Sequence, residues 1–240
     1  MTSTPVYYEN TYQFSDIANI ESVGKDDRGS YIILDRTIFY PQGGGQPSDQ
    51  GYLKLGTINI PINSVKMVEK EIRHYTDQEY KEAIGQIIYC YIDQDKRILH
   101  AKCHSAGHLI SNIIEEIYPD YKAVKGHHFP GECYVEFIAK DSNLRDMNLA
   151  LLTQKIAEAI SENQSVKSMF VTNDQLTQIC PALPYEVPKN QFIRVVRLGN
   201  FGYQPCGGTH VATLSELKEC NLTKFKIKND MLKIYYTMEG

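Results

Sequence analysis

The order of apolar and polar residues divides the chain near Asp93. Before it, β-branched and aromatic residues gather in short runs bounded by Gly, Pro and Asp: SYIILD (30–35), TINIPINSV (57–65) and QIIYCYID (86–93). Such runs predict strands. No helix-length periodic stretch separates them, so residues 1–92 are expected to form a small β-barrel or sandwich. FYPQGGGQPSDQG (39–51) must be loop, because three successive glycines between prolines carry too high an entropy cost for a regular element. Beyond Asp93 the period changes. From Asp95 to Ile117, apolar residues at 98, 99, 106, 109, 110, 113, 114 and 117 recur at helical spacing, and Pro119 marks the stop. Residues 121–139 predict a hairpin turned at FPGE, and a helix is expected over about 143–162. VKSMFV (166–171) predicts a strand, Thr172–Gln175 a capping box opening a short helix, and FIRVVRL (192–198) another strand. A terminal hairpin pairs 223–227 with 232–238, turned at 228–230. Strands and helices in this mixed order predict an α+β layer over residues 93–240, with helices on one face of an antiparallel sheet.

Composition narrows the class. The 240 residues suffice for one large domain or two smaller ones, and 42% apolar with 22% charged residues supplies an ordinary core. A net charge of −4 with no long run of like charge excludes bulk electrostatic binding of nucleic acid, though not a local basic face. No apolar stretch approaches the roughly 18 residues of a membrane helix, and the first residues have neither the basic nor the apolar region of a secretory leader. The six cysteines contain no CxxC, so reduced thiols in a cytoplasmic protein are expected.

The chemistry lies in HAKCHSAGHL (100–109). His100, His104 and His108 fall four residues apart, on one face of a helix. Either adjacent pair can aim two ring nitrogens at one point, as zinc requires. Far downstream, GYQPCGGTHVA (202–212) places Cys206 four residues before His210, around a Gly-Gly-Thr209 turn. Thiolate and imidazole are donors that zinc favours. HxxxH plus CxxxH therefore makes a four-group set: His104, His108, Cys206 and His210.

Three motifs together resemble a known family. His104-Ser-Ala-Gly-His108 and Cys206-Gly-Gly-Thr-His210 are similar to the paired zinc motifs of the alanyl-tRNA synthetase editing domain. Phe39-Tyr-Pro-Gln-Gly-Gly-Gly-Gln46-Pro-Ser-Asp49-Gln-Gly51 resembles that family's glycine-rich motif. The free-standing AlaX type is the best match in arrangement. The resemblance implies a β-barrel-like N-terminal domain (1–92) before a zinc-binding editing domain (93–240) of the kind that threonyl- and alanyl-tRNA synthetases share. It implies one Zn2+ per chain and a hydrolase acting on the acceptor end of tRNA(Ala) mischarged with serine or glycine. Thr37, Gly43, Gly44, Gly45 and Gln46 match positions implied to recognise or process the ester. His100, Asp49, His128 and Thr209 are pocket candidates, with Asp49 expected to close a turn. The family's first motif commonly carries Thr where Ser105 stands; the hydroxyl is kept. Gly107 costs the helix about 1 kcal/mol relative to Ala and is expected to let substrate approach. Lys122, Lys125, Lys224, Lys226, Arg194 and Arg197 are candidate phosphate contacts. No sizeable extension follows the zinc motifs, so tRNA discrimination is expected to do without one. Four protein ligands make a closed set, whereas a catalytic zinc usually keeps an open position. A hydrolase of another aminoacyl ester, a non-catalytic zinc-stabilised tRNA-binding module, and a thiol enzyme using Cys206 with His210 are the rival readings.

Overall fold

The computed structural model describes residues 3–139, 147–181, 183, 192–228 and 231–238. The chain folds into two compact units, Met1–His100 and Ala101–Gly240. It is a mixed α+β protein whose large sheets are antiparallel. Among the described residues no helix is long and apolar enough to cross a membrane.

In the first unit, β1 (Thr4–Pro5) pairs in parallel with β4 (Arg36–Thr37). The main sheet contains β2 (Ser15–Asp26), β3 (Gly29–Leu34), β5 (Gly51–Leu55), β6 (Ile58–Ile62), β7 (Ser64–Val68), β8 (Glu71–Thr76) and β9 (Ile87–Ile92). Their order is β6-β5-β9-β2-β3-β8-β7, all antiparallel. β2 serves two neighbours. Ser15–Asn19 pair with β9; beyond an irregularity between Ile20 and Ser22 the strand pairs with β3. Such a bulge bends a strand and raises its twist. The stretch TINIPINSV is two strands rather than one. It breaks at Asn63, whose N–H donates to Tyr75 O while its amide reaches Asp77. Ile32, Leu34, Leu53, Ile60, Val65, Ile88 and Cys90 are buried together beneath the sheet.

Helix α1 (Gln94–Ile117) starts in the first unit and continues in the second. Asp93 caps it, accepting from the Lys96 N–H at 3.1 Å. In the second unit, β10 (Tyr121–His127), β11 (Tyr134–Ala139), β15 (Asn221–Lys228) and β16 (Met231–Thr237) form one sheet, ordered β10-β11-β16-β15. Val135, Phe137, Leu232, Ile234 and Tyr236 point to its buried face, on which Tyr236 donates to Cys103 O of α1. A second sheet joins β12 (Val166–Val171), β13 (Ile193–Leu198) and β14 (Tyr203–Pro205). α2 (Leu149–Ser161) is capped by Asn148, and α3 (Asn173–Ile179) by the Thr172/Gln175 capping box read from the sequence. Of the helix expected over 143–162, residues 143–146 lie outside the described residues, as do 229–230 of the terminal turn.

Candidate metal centre and glycine-rich loop

The four histidine and cysteine residues paired by the motifs converge. One donor atom from each of His104, His108, Cys206 and His210 lies within 4.8 Å of the others. Cys206 Sγ is 3.4 Å from His104 Nε2 and 3.2 Å from His210 Nε2. A tetrahedral zinc site with ordinary bond lengths places nitrogen and sulfur donors about 3.5 Å apart, so these separations suit a metal ion. The donors arrive by two routes. His104 and His108 share one face of α1. Cys206 and His210 sit in the loop that follows β14, which pairs with β13.

The two donors of the loop, His210 and Cys206, are held by neighbours. Ser105 Oγ accepts from the Val211 N–H and lies 3.0 Å from His210 Nδ1. A proton on Nδ1 there frees Nε2 toward the other donors, the arrangement that fixes a ligating imidazole. The Gly208 N–H donates to Cys206 Sγ at 3.3 Å. Arg194 Nη1 donates to Cys206 O and Gly208 O, both at 2.9 Å, so its guanidinium clamps the ligand loop. Arg194 is buried and does not face solvent as a phosphate contact should; over Ile193–Leu198 nearly every residue is buried. Arg197 donates to Phe201 O and Asn200 O and caps its own turn.

Burial holds the three imidazoles in the neutral form that a metal takes. It drives His104 and His210 well below the ordinary imidazole range and His108 down to about 4, so the rings are neutral at pH 7. Burial pushes the Cys206 thiol up, against the pull of the Gly208 N–H and the Arg194 charge.

His128 accompanies the cluster without joining it. Its ring stacks on His104 with centroids 4.6 Å apart. Tyr236 Oη gives its proton to Cys103 O, so His128 Nδ1 must be the donor in their 2.6 Å bond. Gly107 and Gly126 make its slot. A Cβ on Gly107 would fall 2.3 Å from His128 Cε1, and one on Gly126 would fall 2.2 Å from Nε2. Gly107 thus admits a histidine, not a substrate as the sequence suggested. Thr209 is fully buried. His100 is not one of the four; its Nδ1 has no hydrogen-bond partner among the described residues.

In the first unit, the glycine-rich loop is an ordered turn. Gly43 and Gln46 form a bridge through two backbone hydrogen bonds of 3.2 and 2.8 Å. Gly44 and Gly45 between them have φ of 53° and 77°. Two successive positive φ values define the two-residue turn that glycine favours. Gln46 is fully buried. Asp49 does more than close a turn. Its carboxylate accepts from the Tyr40 N–H at 2.6 Å and forms a buried ion pair with Arg97, which also donates to Thr11 O and Ile38 O. The sequence offered no reason to single out Arg97.

Thr37 has a defined polarity. His74 Nδ1 is 3.0 Å from Ile32 O, and a carbonyl only accepts, so Nδ1 carries the proton. Nε2 must then accept from the Thr37 hydroxyl at 2.8 Å. The Phe39 N–H takes one Thr37 lone pair. Among the described residues these bonds leave the other lone pair of Oγ1 uncommitted.

Comparison with known proteins agrees with this architecture. Residues 3–96 match the family model described as tRNA synthetases class II (A), and residues 193–233 match that of the threonyl and alanyl tRNA synthetase second additional domain. The first match falls in the first unit and the second in the second unit. Over 97% of its length it is 26% identical to the alanyl-tRNA editing protein AlaX-M of Methanosarcina barkeri, covering 98% of that protein. It is also 26% identical to AlaX-L of Pyrococcus horikoshii, covering 57% of it. The alanine–tRNA ligase of Methanothermobacter thermautotrophicus is 29% identical over 80% of this chain, which spans 21% of that enzyme. The resemblance drawn from the motifs holds along nearly the whole chain, which is a relative of the AlaX-type proteins.

Proposed function

We propose that this protein is a trans-editing hydrolase that deacylates misacylated tRNA(Ala), Ser-tRNA(Ala) foremost and Gly-tRNA(Ala) beside it. The convergence of His104, His108, Cys206 and His210 carries the reading, together with the similarity to AlaX-M and AlaX-L. The donor set suits one zinc ion: three neutral imidazoles and a thiol, with His210 and Cys206 held by Ser105 and the Gly208 N–H. A zinc ion held there supplies Lewis acidity toward an ester carbonyl and water.

The chain's own residues account for selectivity. A synthetic pocket sized for alanine excludes serine weakly, whereas a site that hydrogen-bonds the extra hydroxyl rejects alanine strongly. Thr37, with its proton committed to His74, can only accept, so its open lone pair suits the hydroxyl of a seryl ester. The Gly44-Gly45 turn presents bare backbone, and buried Gln46 supplies an amide at its end.

Deacylation of Ser-tRNA(Ala) beside Ala-tRNA(Ala), with and without a chelator, tests the reading. Loss of the serine ester alone, abolished by chelation and by His104→Ala, is expected. Intact serine ester with a full equivalent of zinc bound would overturn it. The closed donor set also supports a second reading, a zinc-stabilised tRNA-binding module without turnover. That reading predicts unfolding on chelation and no ester loss under any condition.

A further inference from the structure

The outer face of the sheet β10-β11-β16-β15 carries an unusual arrangement. One cross-strand row reads His127, Tyr134, Tyr235 and Lys224. The row is aromatic over three strands. His127 lies 5.1 Å from Tyr134 at a 24° interplanar angle, and Tyr134 lies 5.7 Å from Tyr235. Phe129 extends it, stacked 4.4 Å from His127 at 6°. The adjacent row reads Lys125, Glu136, Lys233 and Lys226. The ammonium groups lie over the rings: Lys233 Nζ is 4.0 Å from the Tyr134 centroid, and Lys224 and Lys226 are 5.0 and 5.8 Å from that of Tyr235. Two carboxylates share the face, Glu136 paired with Lys233 at 2.6 Å and Glu132 beside His127 at 3.5 Å. The sum is still basic, on a chain whose net charge is −4. Tyr236 points the other way and bonds to α1, so this face is turned away from the helix that bears His104 and His108.

We propose that this face binds an unpaired stretch of RNA, with bases on the His127–Tyr134–Tyr235 row and phosphates on the lysines. His127, Tyr134 and Tyr235 are half-buried, each with part of its surface open to solvent; sheet aromatics interleaved with basic residues are the means by which single strands are held without groove readout. A duplex hides its base faces and can use only the charges. An acidic protein segment would use the lysines and have no need of the rings. The bound stretch is not the reacting end, because the metal ligands lie on the far side of the sheet.

The test is fluorescence anisotropy of a labelled eight-nucleotide unstructured RNA, with a blunt duplex of the same strand as comparison, using the full chain. The single strand should bind in preference. Tyr134→Ala and Tyr235→Ala should each weaken it by about 5- to 150-fold, the range for loss of one stacked base, while Tyr→Phe at either position stays within about twofold. Tyr134→Leu keeps the bulk without a planar face and should behave like alanine, which guards against a folding defect. Lys224→Ala and Lys226→Ala should each reduce the slope of log affinity against log salt by about 0.7. Equal affinity of the Ala, Leu and Phe variants, or equal binding of duplex and single strand, would overturn the proposal. Ester hydrolysis is not part of the readout: binding without deacylation would leave this inference standing and sink the hydrolase reading.

Discussion

Replacing Asp49 by Asn removes one charge from an ion pair in which both partners are essentially inaccessible to water. The amide keeps an acceptor for the Tyr40 N–H, so the backbone turn need not open. What remains is the Arg97 guanidinium, buried and without a counter-charge. Breaking such a pair from one side costs about 3–5 kcal/mol, a third or more of a typical domain's stability. Arg97→Met should cost more. It strands the Asp49 carboxylate and also deprives Thr11 O and Ile38 O of their donor, each worth about 1–3 kcal/mol when buried. The double variant leaves those two carbonyls unmet but contains no lone charge. Its loss should fall short of the sum of the singles by about 3 kcal/mol. Urea denaturation followed by far-ultraviolet circular dichroism gives the three values, and hydrogen exchange at the Asp49 amide reports whether the loop opens. The reasoning fails if Asp49→Asn costs under about 1 kcal/mol, or if the two losses simply add.

Three further outcomes follow from the structure. Gly107→Ala should lower the melting temperature although alanine improves helix propensity by about 1 kcal/mol, because the new methyl meets His128 and Tyr236 at contact-forbidding distance; a higher melting temperature would refute the slot. Burial holds His74 at about 4 against 6.5 in an unfolded chain. The unfolded state alone takes up the proton as pH falls from 6.5 to 4, so about 3 kcal/mol of first-unit stability, intact above 6.5, is lost across that window. Stability of His74→Gln measured at pH 7 and pH 4 should show a correspondingly smaller acid loss than wild type. Elemental analysis should find one zinc per chain and much less in Cys206→Ala and His108→Ala; full zinc in either variant would remove that residue from the ligand set.

The parts of the site set by local spacing were legible in the sequence. HxxxH fixes the relation of His104 to His108 through the helix period, and the capping box at Thr172 is written in four residues. Features that depend on distant pairing were not. His128 owes its place to Tyr236, 108 positions away. Thr37 owes its polarity to His74, and Asp49 its charge partner to Arg97. A signal for His128 did exist: glycine in the middle of α1 marks a close approach, though not of what. Arg194 misled because a strand buried on nearly every position hides which face carries the charge. β2 and β8 escaped because β2 mixes two alternations across its bulge and β8 carries Arg73 and His74 in buried positions.

The lysines of β15 have a second consequence. Among the described residues β15 is the outermost strand of its sheet, and such a strand exposes unpaired backbone groups to any other extended chain. Regularly spaced charge on Lys224 and Lys226 discourages a second copy from adding there. At the opposite margin, β10 carries no such comb, and an irregularity between Ala123 and Lys125 distorts its edge. Both margins are therefore distorted by an irregularity, at Leu222/Lys224 on β15 and at Ala123/Lys125 on β10, and the alternating lysines add charge on the β15 side. Neutralising the β15 lysines should leave the fold intact yet make concentrated solutions of the protein self-associate through that strand alone.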